Sequence, residues 1–129
     1  MSDFLGIDTS NYTTSAAIYE SPHNVLLQEK MLLPVKKGEK GIRQSDAVFH
    51  HTVQLPEIID KLFKKTGKRD ISAVGVSYAP RRLEGSYMPC FLTGISAATA
   101  VSRALSVPLY RFSPVSYTHL RAHETELHL

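Results

Sequence analysis

Short apolar blocks separated by turn formers set the first part of the chain. Phe4-Leu5-Gly6-Ile7 is an apolar run that stops at Asp8, and it reads as a buried strand. Thr9 to Tyr12 are turn formers. Thr13 to Glu20 (TTSAAIYE) reads as a second strand, followed by the turn Ser21-Pro22-His23-Asn24. Val25 to Leu33 (VLLQEKMLL) mixes apolar and polar positions as a third strand. Together these predict an antiparallel meander. Pro34 to Arg43 (PVKKGEKGIR) is basic and glycine-containing, as an exposed loop would be.

Helical spacing takes over from Ser45, a good N-cap, with Asp46 adding a negative charge near a helix start. Apolar residues recur at Val48, Val53, Leu55, Ile58, Ile59, Leu62 and Phe63. Pro56 predicts a kink or break near Val53. Lys64 and Lys65 fall in the last turn and Gly67 ends the helix. Ile71 to Tyr78 (ISAVGVSY) reads as a fourth strand, and Ala79 to Pro89 as a loop with Arg81 and Arg82. Phe91 to Leu105 is a second helix, rich in Ala, Ser and Thr, that would pack closely on a neighbour. Val107 to Phe112 (VPLYRF) is a last strand. The order βββαβαβ is an α/β pattern whose later strands are joined by helical crossovers and so run parallel. It is the order expected of one lobe of an actin-like ATPase built on the ribonuclease H pattern.

The final stretch does not continue this pattern. Val115 to Thr125 (VSYTHLRAHET) resembles one translated frame of a transposon-type sequencing adapter, and His128-Leu129 fits its next fixed bases. Residues 1–113 are therefore read as the partial lobe and 114–129 as a non-native tail, excluded from fold reasoning. His119 and His123 stand four apart, which on a helix would point both imidazoles to one side, as a metal site needs. The adapter-like run is the simpler source of the pair, and both histidines are set aside.

Charge and cysteine content narrow the picture a little. The formal charge is +3. It rises to +4 without Arg121, Glu124 and Glu126 of the tail. This permits nucleic-acid contact without demanding it. A single cysteine, Cys90, excludes an internal disulfide and favours the cytoplasm. No base is placed beside it by sequence, so it reads as a packing residue. No apolar stretch approaches a membrane span.

The sharpest chemical feature is GIDTSNYTTS, Gly6 to Ser15. An acid leaves a buried strand into a tight turn full of hydroxyls, then a second strand follows. Turn N–H groups and hydroxyls suit phosphate oxygens, and Asp8 suits Mg²⁺ held through water. Ser10, Asn11, Thr13 and Thr14 would be the donors. A plain hairpin using Asp and Asn as turn residues explains the same letters.

LGIDTS with its strand, then KGIRQSDAVFHHTVQLPEII, AVGVSYAP and GISAATAVSRALSVPLYRFS, resembles the family that makes threonylcarbamoyladenosine on tRNA, once described as O-sialoglycoprotein endopeptidases. The likeness runs over residues 4–113 and is nearest a divergent branch. It implies an ASKHA fold and an acyltransferase that moves a threonylcarbamoyl group from its AMP ester to the adenosine beside the anticodon. It also implies an Fe or Zn ion, a nucleotide or acyl-adenylate, tRNA, and a paralogous subunit as partner.

This chain departs from the family at several points. The family's first motif, I-[ED]-T-S-C-D-E-T, reads here Ile7 to Thr14, so Tyr12 and Thr13 replace an acidic pair. A family P-G-L segment becomes PRRLEGSYMPCFLTG, Pro80 to Gly94. The family's H-x-x-x-H would follow VPLYRFS directly, where the adapter-like run begins. The expectation is an inactive fragment of a transferase or of a non-catalytic paralogue that serves as a binding partner. No catalytic residue is assigned.

Two side groups complete the reading. His50 and His51 are adjacent on the helix and point about 100° apart, too divergent to share a metal. One should face the core. Lys36, Lys37, Lys40, Arg43, Arg81 and Arg82 form a tRNA phosphate patch only if the fold gathers them; otherwise they are scattered loop charge.

Overall fold

Alternation decides the strands. In β1 (Asp3–Asp8) Leu5 and Ile7 are buried while Phe4 and Asp8 are exposed, so one side faces a core. In β2 (Thr13–Glu20) Thr14, Ala16 and Ile18 point the same way. The strands β3 (Asn24–Leu32), β4 (Ile71–Ser77) and β5 (Leu109–Phe112) complete a sheet in the order β3-β2-β1-β4-β5. β1, β2 and β3 are the antiparallel meander, with Leu5 opposite Ile18. β4 lies parallel to β1, with Leu5 beside Val74, and β5 lies parallel to β4. This computed structural model describes residues 3–10, 12–20, 24–34, 44–67, 69–77 and 88–112. Most of the loops expected at Pro34 to Arg43 and Ala79 to Pro89, and the tail with His119 and His123, lie outside them.

Two helices cover one face of the sheet. α1 (Gln44–Thr66) packs on β2 and β3, and α2 (Met88–Leu105) on β4, β1 and β5, with the helices in contact. Leu55, Ile58 and Leu62 of α1 and Ala98 of α2 meet Leu5, Ile7, Ile18, Val74 and Val76 in one cluster. Burying each large side chain here stabilises the fold by about 1.5–3 kcal/mol.

α1 ends where glycine permits it. Gly67 has φ 80° and its N–H reaches the Phe63 carbonyl at 2.8 Å. Of the kink or break expected near Val53, the break does not occur: α1 runs through Pro56 without interruption. Thr52 and Pro56 are both exposed, so the Thr52 carbonyl that loses its amide partner is on the side open to solvent. α2 ends differently. Ser106 takes φ 56° and the Val107 N–H reaches back to the Ser102 carbonyl at 3.0 Å. A serine thus fills the left-handed place that usually holds glycine.

On the opposite face Tyr19 lies over Gly6: a Cβ on Gly6 would stand 3.2 Å from Tyr19 Cε2. Phe4, Tyr110 and Leu32 are exposed large apolar residues of the strands.

Candidate functional site

The candidate site lies at the carboxyl ends of β1 and β4, the edge at which parallel strands of open α/β sheets present ligands. Asp8 is the last residue of β1 and Ser77 the last of β4. Ser77 Oγ donates to Asp8 Oδ1 at 2.7 Å, and the Ser10 N–H donates to the same oxygen at 2.8 Å. The second contact is the local turn that Asp favours. Asp8 is thereby fixed in direction yet stays exposed. Its Oδ2 takes no hydrogen bond among the described residues.

The next residue fastens this turn to α2. Thr9 is fully buried. Its hydroxyl donates to the Cys90 carbonyl at 2.7 Å and accepts from the Gly94 N–H at 3.2 Å. Those two backbone groups are the i→i−4 pair of an ordinary helix turn, so the threonine hydroxyl stands between them. Close approach is possible because residue 94 has no side chain: a Cβ there would meet Thr9 Oγ1 at 2.9 Å, Val76 Cγ2 at 3.3 Å and Ile7 Cγ2 at 3.4 Å.

β2 fastens the far side of the turn to α1. Thr14 Oγ1 lies 2.8 Å from His51 Nδ1 and donates to Gln54 Oε1 at 2.9 Å. Gln54 Nε2 donates in turn to the Leu32 carbonyl at 3.1 Å. A carbonyl only accepts, so this bond orients the Gln54 amide and commits the Thr14 proton to Oε1. His51 Nδ1 must then be the donor to Thr14, which fixes a proton on Nδ1. The Leu33 N–H also holds the Tyr12 carbonyl at 2.8 Å.

The sequence-predicted residues therefore divide. Asp8 and Ser10 lie together at the strand end. Thr13 is half-buried and, one step from Thr14, points to the opposite side of the sheet. Thr14 is fully buried and its hydroxyl serves α1. Asn11 lies outside the described residues. Tyr12, in place of an acid, is exposed. His51 takes the core position and His50 packs edge-on against Phe49. Burial pushes the Cys90 thiol above its ordinary pKa, so it is held as a thiol.

Sequence reasoning did not name Ser77, Thr9, Gly94, His51 or Gln54 as supports of this turn. Ser77 is 69 residues from Asp8, and no local spacing reveals the pair. Thr14 was open to a simpler signal: it shares period-two parity with Ala16 and Ile18, and parity alone turns it inward.

Both helices direct their N-terminal halves to this edge, α2 through Cys90 and Gly94 and α1 through His51 and Gln54. Helices of this polarity at the edge suit an anion bridged to the carboxylate by a cation. A directly bound Fe or Zn does not fit the described residues. Among the described residues no group of three His, Cys, Asp or Glu could hold a metal ion. Asp8 with its open oxygen fits a hydrated hard cation instead.

The fold is of the ASKHA, ribonuclease H-like class. YeaZ from Pseudomonas aeruginosa superimposes with a TM-score of 0.66 over 97% of this chain and 49% of its own, at 18% identity. RuvC from T. thermophilus, solved with a Holliday junction, gives 0.51 over 89% of this chain and 66% of its own, at 15% identity. No protein-family model matches the chain.

Its sequence is homologous to proteins named tRNA N6-adenosine threonylcarbamoyltransferase. The Bacillus subtilis protein is 30% identical over 92% of this chain and 32% of its own length. That of Archaeoglobus fulgidus is 28% identical over 92% and 33%. The Caenorhabditis elegans relative, named as probable and mitochondrial, is 29% identical over 92% and 27%. The chain thus spans about a quarter to a third of the length of these curated relatives. Among the described residues no helix is long and apolar enough to cross a membrane.

Proposed function

We propose that this chain is part of the nucleotide-gripping lobe of a tRNA threonylcarbamoyltransferase-like protein. The whole protein would move a threonylcarbamoyl group from its AMP ester to the adenosine beside the anticodon. It would act with tRNA, a paralogous subunit and one Fe or Zn ion held by residues other than those described here. Residues 1–113 form the partial lobe, and 114–129 are foreign to it. The observation that carries the reading is Asp8, clamped through one oxygen by Ser77 and Ser10 at the carboxyl ends of parallel strands, with its other oxygen open. In this role Asp8 holds hydrated Mg²⁺, and Ser10, Asn11 and Thr13 are assigned as the donors to the phosphates. Thr14 keeps the turn in place from below.

Titration of the chain with Mg²⁺ and ATP, or with AMP, tests this. Asp8→Ala should weaken the Mg²⁺-dependent binding about tenfold or more, since it removes a charge-assisted contact. Equal affinity of the two proteins would refute the assignment. Given tRNA and threonylcarbamoyl-AMP, this chain alone should form no modified base.

A second reading is favoured by Tyr12, which is exposed where the family carries an acid. The whole protein would then be a non-catalytic paralogue that binds its active counterpart. A full-length protein that captures that subunit yet turns over no acyl-adenylate on its own would select this reading.

A further inference from the structure

Away from Asp8, α2 and the edge strand β5 enclose an open groove of about 830 Å³. Arg103 comes to it from the last turn of α2 and Arg111 from β5. Thr99 and Ser106 add hydroxyls, and Leu109 contributes an apolar wall. Among the described residues no acidic side chain lines it.

The two guanidiniums have no carboxylate partner among the described residues. Other basic residues do: Arg69 faces Asp3 and Glu20, Lys64 pairs with Asp60, and Lys65 with Glu29. A cation in a last helical turn also complements the helix dipole, which accounts for Arg103. It does not account for Arg111, which stands on a different element and lines the same groove. Ser102 does not compete for a ligand, because its hydroxyl donates to the Val107 carbonyl at 2.6 Å.

We infer that this groove takes successive phosphates of an RNA backbone, in the tRNA that the proposed function supplies as substrate. The inference rests on that reading for the identity of the polyanion. The groove itself offers two planar forks for phosphate oxygens, with neutral donors on the same lining and no acidic residue there among the described residues. Such contacts position a nucleic acid and carry no sequence information.

The test uses the full chain and a fluorescent tRNA transcript between 50 and 200 mM salt. Replacing both arginines (R103Q with R111Q) should weaken binding about tenfold or more and lower the salt slope by about 1.4–1.8, the loss of two phosphate contacts. A control that removes as much charge from α1 (K61Q with K64Q) should change affinity less than about threefold. Thermal melting of each variant confirms that the fold survives. Three results would overturn the inference: no saturable binding by the wild type, unchanged binding by the arginine variant, or equal weakening by both variants. Mg²⁺-ATP titration of the same proteins keeps the readings apart. Loss of nucleotide binding in Asp8→Ala with tRNA affinity intact supports both sites; arginine-dependent tRNA binding without nucleotide binding upholds the groove and removes the Asp8 assignment.

Discussion

Thr9 occupies the space that a side chain at Gly94 would need, since a Cβ on Gly94 would lie 2.9 Å from Thr9 Oγ1. The same hydroxyl accepts the Gly94 N–H at 3.2 Å. Each residue type is thus the reason the other is tolerated.

Gly94→Ala should destabilise the chain by about 1–3 kcal/mol, because the stiff β-branched side chains of Thr9, Val76 and Ile7 crowd the new methyl. Thr9→Val should cost about as much by leaving buried Cys90 and Gly94 groups without the bridging hydroxyl. The two changes should not add, since they act on one contact. Urea unfolding of the single and double variants measures this; strict additivity would contradict the shared contact.

Thr14→Val should cost about 1–3 kcal/mol, as it removes the buried hydroxyl that His51 Nδ1 and Gln54 Oε1 share. In the unmodified chain, ¹⁵N NMR should find a proton on His51 Nδ1. An imidazole protonated on Nε2 alone would contradict the hydrogen-bond order derived from Gln54 and Leu32.

Ser106→Gly should stabilise the chain by about 0.5–1 kcal/mol, relieving a side chain held at φ 56°. The gain is limited by the greater freedom glycine gives the unfolded chain. A melting temperature that falls would show that the serine side chain holds the α2 terminus in a way its backbone does not reveal.

Cys90 should alkylate more slowly near neutral pH than a cysteine in an unstructured peptide. Burial raises its pKa, so less thiolate is present at a given pH, and the rise of rate with pH should be displaced upward. Iodoacetamide rates across pH 7–10 measure the displacement; a rate equal to the peptide's would contradict it.

Much of this architecture was legible in the letters. Leu5 and Ile7, Thr14 to Ile18, and Val74 and Val76 alternate as strands buried on one face do, and the helical crossovers implied parallel neighbours for β4 and β5. Gly67 marked the end of α1 because only a left-handed residue closes that turn cheaply. Pro56 does not break α1, because its effect depends on whether the carbonyl it deprives of a partner is open to solvent, which is a tertiary matter. At the candidate site Asp8 and Ser10 were local and visible. Ser77, Gly94 and Gln54 were not, since each acts across the sheet or from a helix far along the chain.

The tie from Gln54 to the Leu32 carbonyl carries a mechanical consequence. β3 borders the sheet, and a border strand is ordinarily the first to peel away. Here α1 grips it from above at two heights, through Gln54 at Leu32 and through Lys65 at Glu29. Unzipping that border therefore drags on the helix, and the two should open as one unit. Amides of β3 facing β2 would exchange with solvent at rates that track those of α1, so the hairpin's rim shares the lifetime of the layer above it.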